Sequence, residues 1–529
     1  MPTDCITYQN SAYFSKLIVD YLDKNLAING FYNRYPNIEN FKAQLKEKES
    51  NFNNENRQVL VSELEKQYLK FNISETTINN IKLLNNSKTF TITTGHQLNL
   101  FTGPLYFIYK IVSTINLCKE LKLAYPEYNF VPIYWMATED HDFEEINYFN
   151  FKNKKFQWKK ESVGPVGRLS TDSLKELFNS IETEFRTSQN AQTLIQLFKN
   201  SYLKHTNLAD ATRFLANELF KSQGLVILDG DAFQLKKLFI PFIKEELLHQ
   251  TSFKKVNQTI TLLKEYTIQV NPREINLFYI EDNLRERIIF ENNSFKVNNT
   301  TISFSEKEIC ELAEKNPEKF SPNVIVRPLY QEVILPNLCY IGGGGEIAYW
   351  LELKSNFEAN NITFPMLLLR NSALLVSQKQ IEKANKLELT WANLFLKQQN
   401  LLDIKTKEYS SFKIDFSEQK EHLKKQFENL HSIAFKTDRS FNGAVKAQEI
   451  KQIKGLENLE KRLLKAEKRV HSDKLQRISS LQNELFPNQS LQERNINFSE
   501  FYLEYGNSFI EKIINELRPL EQEFKVIIL

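Results

Sequence analysis

Short unbroken apolar runs alternate, over roughly the first 380 residues, with longer segments whose apolar positions recur every three or four residues. The run KTFTITTG (88–95) is β-branched and ends in glycine. Residues 104–124, PLYFIYKIVSTINLCKELKLA, open with proline and then follow helical spacing. NFVPIYWMA (129–137) is continuous, as in a strand buried on both faces. Strand, helix and strand in this order predict a βαβ unit. The rhythm returns with a helix near 208–222, GLVILDGD (224–231) and an amphipathic helix to about 249. It returns again in NLCYIGGGG (337–345), EIAYWLELKSNFEANN (346–361) and PMLLLRNSALLV (365–376), read as strand, helix and strand. Repeated βα units predict an α/β fold built on an open, doubly wound, mostly parallel sheet.

Other segments depart from this pattern. Residues 10–70 read as polar helices, residues 148–170 as a hairpin and residues 267–305 as a small β-meander. The β-rich parts are expected as insertions near 148–205 and 255–325 of a core spanning 1–380. A helical domain is expected over 381–486, where 415–435 and 444–485 are charged and poor in glycine. Leu456, Leu459, Leu463, Ala466 and Val470, and then Leu475, Ile478 and Leu481, follow 3–4 spacing. With TDRSFNG (437–443) as the turn, this predicts an antiparallel coiled-coil hairpin. Residues 487–529 regain aromatic side chains and are expected to dock back on the core.

Composition narrows the classes of function. A chain of 529 residues implies two to four units or one large core with insertions. Lys+Arg 68 against Asp+Glu 65 leaves no global charge for a nucleic-acid or membrane partner. Residues 446–477 are locally basic, but dispersed charge with few aromatics suits RNA poorly. No apolar stretch is long enough to span a bilayer, and the opening residues lack the basic and apolar regions of a leader. Cys5, Cys118, Cys310 and Cys339 are far apart and form no CxxC pair. A reduced, cytoplasmic protein without a zinc knuckle is expected.

Candidate chemistry gathers at three strand ends, where parallel α/β sheets bind ligands. In TTGHQLNLFTGP (93–104), Gly95 and Gly103 allow close approach of backbone, His96 and Gln97 offer donors, and the next helix offers free N–H groups to an anion. In WMATEDHDFEEI (135–146), Glu139, Asp140, His141 and Asp142 concentrate charge beyond what one helix start uses. Asp140, His141 and Asp142 are the candidate catalytic residues, binding an ammonium and accepting its proton. A carboxylate beside His141 is expected to favour the protonated imidazole. In the third region, Gly342, Gly343, Gly344 and Gly345 form a nest of N–H groups before Glu346, which either caps a helix or meets an amine. Arg327 and Gln331 lie upstream and Arg370, Asn371 and Ser372 downstream; the arginines suit carboxylate or phosphate. No Walker A, serine elbow or Cys/His motif accompanies them.

Read together, TGHQLNLFTGPLYFIYK (94–110), VPIYWMATEDHDFEEI (131–146), GPVGRL (164–169), RPLYQEVILPNLCYIGGGGEIAYW (327–350), LLLRNS (367–372) and LQER (491–494) resemble the signature blocks of the bacillithiol-biosynthesis cysteine ligase family. The family often has Gln at the place of His96 and Pro at the place of Gly344. The resemblance implies a ligase that forms an amide between L-cysteine and glucosaminyl-malate, completing bacillithiol. It implies a Rossmann-like core similar to class I aminoacyl-tRNA synthetases, with insertions of connecting-peptide type and a coiled coil that makes a homodimer. Amide formation needs an activated carboxylate, so ATP and Mg2+ are the expected cofactors. Two rival readings are a metal-dependent hydrolase, with His96 joining Asp140, His141 and Asp142 around an ion, and a synthetase-like tRNA-binding protein.

Overall fold

Eight successive buried residues, Thr89–His96, form β1 at the centre of the main sheet of this computed structural model. The structure describes residues 5–185 and 187–529; the first four residues of the stretch read for a leader lie outside it. β2 (Asn129–Met136) and β3 (Val226–Asp229) follow on one side of β1, and β4 (Asn337–Gly342) and β5 (Met366–Leu369) on the other. The order across the sheet is β5-β4-β1-β2-β3, and every neighbouring pair is parallel. The chain builds outward from β1 to β3 and then restarts at β4, so the order reverses between β1 and β4. In open α/β sheets that reversal opens a crevice at the carboxyl ends of the strands.

α1 (Tyr106–Ala124) crosses from β1 to β2 and is buried around most of its circumference, which suits its nearly continuous apolar sequence. On the polar N-terminal helix Glu55–Tyr68, Arg57 is buried and donates to the carbonyls of Leu84, Ser87 and Thr89. It thereby fixes the entry to β1.

The insertion after β2 starts with the hairpin Tyr148–Phe151 and Lys154–Gln157. The later insertion is a five-stranded antiparallel sheet of Leu277–Glu281, Leu284–Glu291, Ser294–Val297, Ser303–Phe304 and Phe320–Pro322. The last of these strands lies beyond the meander expected over 267–305.

PMLLLRNSALLV is two strands in two sheets rather than one strand. β5 stops at Leu369, and Ser372–Val376 pairs instead with the C-terminal strand Glu523–Ile528, which also holds Cys5–Thr7. The break falls where Arg370 N donates to Gly342 O and Asn371 N donates to Ser113 Oγ, so this backbone satisfies itself outside a ladder.

The helical hairpin consists of α3 (Ser417–Ala434) and α4 (Arg439–Val470), bridged by Lys420–Glu460 and His431–Glu449. Its turn is shorter than TDRSFNG, because Asp438 caps α4 by accepting from Phe441 N at 2.9 Å. The seam also ends earlier than its spacing suggests. α4 stops at Val470, and Leu475, Ile478 and Leu481 lie buried on a separate helix, Ser472–Leu485.

Candidate functional site

β1 and β2 end in step, with Gly95 opposite Trp135 and His96 opposite Met136. The loops that follow therefore leave the sheet side by side, and Gly342 closes β4 across the switch point. Together they floor a cleft of about 1110 Å3. Its outer wall is the later insertion, through Phe278, Arg285, Arg287 and Pro322, and the strap Gln269–Arg273.

The charge in this cleft is lopsided. Lys110, Arg273, Arg285, Arg287, Arg327, Arg370 and Arg494 line it, against Glu139, Asp140, Glu145 and Glu346. Four of these are tied up in three ion pairs. Lys110 meets Glu346 at 2.5 Å, Arg370 meets Glu493 at 2.6 Å, and Glu139 meets Lys236, which also donates to the Phe320 carbonyl. Burial raises the pKa of Glu139, against the pull of Lys236. Among the described residues, no carboxylate lies within ion-pair reach of Arg273, Arg285, Arg287, Arg327 or Arg494. Guanidinium groups without a carboxylate partner, facing a cavity, suit carboxylate or phosphate guests.

The opposite charge is organised around Gln97. Its side-chain amide donates to Asp140 and to Glu145, both at 2.9 Å, and so holds two carboxylates at one rim. Asp140 also accepts from His141 N at 2.7 Å and Asp142 N at 3.4 Å, an Asx turn that shapes its own loop. The segment GPVGRL braces this loop from behind. Val166 N donates to Asp140 O, Gly167 N donates to Thr138 O, and Arg168 grips Asp231 through two bonds of 2.8 and 3.0 Å. The Thr138 hydroxyl donates to Asp229, whose pKa is pushed up to about 6 by burial and then by Asp231.

His141 departs from expectation. Arg285 lies 2.6 Å from its Nδ1, and burial together with that cation lowers its pKa, outweighing Asp140 and Asp142. The protonated imidazole is disfavoured there, not favoured. Asp142 is exposed outside the cleft and makes no capping bond to the short helix Phe143–Ile146. His96 is buried, with its pKa depressed by burial and by Lys110, and its Nε2 has no partner. It does not join Asp140, His141 and Asp142 around an ion. Among the described residues, no group of three or more His, Cys, Asp or Glu side chains is placed to hold a metal.

Gly343, Gly344 and Gly345 line the cleft, and Glu346 does both things its position allows. It accepts from Gly343 N at 2.9 Å, capping α2 (Gly344–Leu351), and it meets the Lys110 amine. Arg327 reaches the cleft, steadied by Gln331 and by the Tyr349 hydroxyl, both at 3.1 Å. Gln331 itself is buried behind it. Asn371 and Ser372 sit in the core, bonded to Ser113, Arg518 and Glu493. Gly342 packs under Tyr340 and Glu346. Gly103 serves the turn into α1, where its φ of +62° and the Asn99 side chain leave no room for a Cβ. The expected anion site at the start of α1 is covered by the C-terminal segment. Leu105 N donates to Ile496 O, and Asn497 holds the Phe101 and Gly103 carbonyls. What α1 presents to the cleft is Tyr106 and Lys110.

Two family models divide the chain between them. Residues 1–371 match the N-terminal Rossmann-like domain of the bacillithiol biosynthesis protein BshC, and residues 373–529 match its C-terminal coiled-coil domain. The chain belongs to the BshC family. A relative described as "Putative cysteine ligase BshC" from Flavobacterium psychrophilum is 69% identical over 528 residues, covering 100% of this chain and 99% of that protein. One of the same description from Flavobacterium johnsoniae is 65% identical over the full length of both, and one from Bacillus anthracis is 29% identical over 87% of this chain and 88% of its own. A solved structure described as "putative arginyl t-RNA synthetase" from Campylobacter jejuni aligns with 83% of this chain and 97% of its own, at 11% identity and a TM-score of 0.23, a value that carries no argument. The Rossmann-like character of this BshC chain rests on its own strand order and on the domain match.

Several cleft residues of this BshC chain carry no motif. Arg273, Arg285 and Arg287 belong to an insertion whose placement over the sheet is tertiary, whereas Lys110 closes the TGHQLNLFTGPLYFIYK block. Arg494 had a signal, since it falls within the LQER block. Lys236, on the helix Phe233–His249, had none, although it neutralises Glu139.

Proposed function

We propose that this chain is an amide-forming ligase that adds L-cysteine to glucosaminyl-malate in the cytoplasm, the last step of bacillithiol biosynthesis. The observation that carries this reading is the division of charge in one cleft. Arginines without a carboxylate partner face a rim where Gln97 gathers Asp140 and Glu145. Cysteine, glucosaminyl-malate and ATP all bring carboxylate or phosphate groups, and cysteine and glucosaminyl-malate also bring ammonium groups. The descriptions of the relatives as cysteine ligases support the same reaction class.

ATP would activate the cysteine carboxylate as an acyl phosphate or adenylate. The glucosamine nitrogen then attacks the activated carbon, a C–N bond forms, and the bond from that carbon to the phosphate-bearing oxygen breaks. The amine proton goes to a carboxylate; Glu139 and Glu346 are held by Lys236 and Lys110, and of the pair gathered by Gln97 we assign the role to Asp140. Arg327 and the arginines of the insertion would hold malate carboxylates or phosphates, and Gly343 to Gly345 would let a ligand approach their backbone. Magnesium would arrive with the nucleotide, since it needs few protein ligands and the protein has no donor cluster for a resident ion among its described residues.

Asp140→Asn keeps the size of the side chain and its bond to Gln97 while removing the proton acceptor. It should lower kcat/KM for amide formation by at least about a hundredfold. A loss below about tenfold would remove Asp140 from the chemistry.

A further inference from the structure

His141 lies beside Asp140 at the edge of the cleft, with about half of its side chain exposed, and one of its nitrogens is already occupied. Arg285 Nη1 sits 2.6 Å from His141 Nδ1. A guanidinium has only N–H donors and no lone pair to offer. The contact therefore exists only if Nδ1 is unprotonated and accepts, and a neutral imidazole then carries its proton on Nε2. We propose that Arg285 is a positioning residue that fixes His141 as the neutral Nε2–H tautomer, so that His141 serves the site as a hydrogen-bond donor and not as the base. The role in the reaction rests on the ligase reading; the tautomer does not.

Arg285 is itself held at several points. Its Nε donates to Ser321 Oγ at 3.2 Å, its Nη2 to Pro322 O at 3.5 Å, and its guanidinium lies 4.0 Å over the Phe278 ring. The same ring meets the His141 imidazole at 5.6 Å between centroids. Three strands of the insertion therefore aim one guanidinium at a loop of the core. The charged groups around His141 are Arg285 on one side and Asp140, Asp142 and Glu286 on the other. The three carboxylates favour the imidazolium, but forming it would set a cation against a cation across a contact of 2.6 Å.

The consequence is a division of roles within TEDHD. His141 Nε2–H can stabilise negative charge that develops on the acyl or phosphoryl oxygen, and it keeps its proton throughout. The proton leaving the amine goes to Asp140, which needs no change of tautomer to receive it. An imidazole whose tautomer is set by the partner of its other nitrogen is a recurring device. Here the partner is a cation, which excludes the imidazolium instead of stabilising it.

The test is long-range nitrogen–proton NMR on the full chain labelled at its seven histidines, with His141 assigned by its absence in His141→Gln. The expected result is an Nε2–H tautomer that stays neutral at pH values where an unperturbed imidazole protonates. In Arg285→Met the His141 pKa should rise by at least about half a unit and the tautomers should mix, while Arg285→Lys should stay near the parent. An Nδ1–H tautomer in the parent, or a His141 titration unchanged in a folded Arg285→Met protein, would overturn the proposal. Amide formation read alongside separates the two claims. His141→Gln, which keeps a donor, should retain the acidic limb of the kcat/KM profile, and loss of that limb would make His141 the base. A protein with the predicted tautomer and no ligase activity would leave the tautomer standing and sink the reaction.

Discussion

Lys110 and Glu346 meet at 2.5 Å across the point where the strand order reverses. Lys110 comes from the helix after β1 and also donates to Gly95 O at 2.8 Å; Glu346 caps the helix after β4. One ion pair thus ties the loop Gly95–Gln97 to the glycine nest, the two sides of the crevice. Burial lowers the pKa of Lys110, with Glu346 opposing. Burial would raise the pKa of Glu346, but Lys110, Gly343 N–H and the Tyr340 hydroxyl together bring it below the ordinary value.

Lys110→Met should destabilise the protein by about 3 kcal/mol, because it strands a largely buried carboxylate. The sign of the pH dependence follows from the depressed Glu346 carboxyl. Its contribution is complete above its ordinary pKa of 4.5 and fades as pH falls through the lower folded value. Urea midpoints measured at pH 7 and at about pH 4 should therefore show a smaller gap between Lys110→Met and the parent at the lower pH.

Gly167→Ala tests the brace behind the catalytic loop. A Cβ there would stand 2.7 Å from Thr138 Cβ and 2.9 Å from Thr138 O. The two segments would have to separate, costing about 1–3 kcal/mol and loosening the bond from Val166 N to Asp140 O. A thermal melt and a steady-state assay on the same preparation should both show the loss.

Glu493→Gln tests the joint between the core and the C-terminal segment. Glu493 accepts from Arg370 at 2.6 Å, from Ser372 Oγ at 3.1 Å and from Ala373 N at 3.2 Å, all buried. The substitution leaves Arg370 charged and unpaired and should cost about 3–5 kcal/mol in denaturant unfolding. Glu484→Gln, whose partner Lys383 is exposed, should cost less than about 1 kcal/mol.

The tip of the hairpin leaves Ile433, Phe435 and Phe441 exposed, which supports the proposal of a homodimer through the coiled coil. Phe435→Glu should shift the protein toward monomer in light scattering at micromolar concentration. A dimer unaffected by this charge would place the interface elsewhere.

Local pattern reached the strands of the core sheet because most are nearly continuous apolar or β-branched runs, several of them next to glycine or proline. It failed where a tertiary contact decides. PMLLLRNSALLV is uniformly apolar around Arg370, and only the pairing of Arg370 with Glu493 shows why it splits between two sheets. The strand ends that line the cleft were legible, because Gly95, Asp140 and Gly343 each end or follow an apolar or β-branched run. Which of their neighbours turn inward was not. Asp142 stays outside and Gln331 behind, while Arg285 arrives from a separate sheet to set the state of His141. A carboxylate next to a histidine in sequence says nothing about the arginine opposite it in space.

The most direct test of the central claim is a mass-spectrometric assay of the purified chain with L-cysteine, glucosaminyl-malate, ATP and magnesium, reading the thiol and the nucleotide products together. The account predicts bacillithiol in step with nucleotide cleavage, AMP marking an adenylate and ADP an acyl phosphate, with both products lost in Asp140→Asn. Folded protein that binds nucleotide and forms no amide, or an Asp140→Asn variant that forms it at the parent's rate, would contradict it.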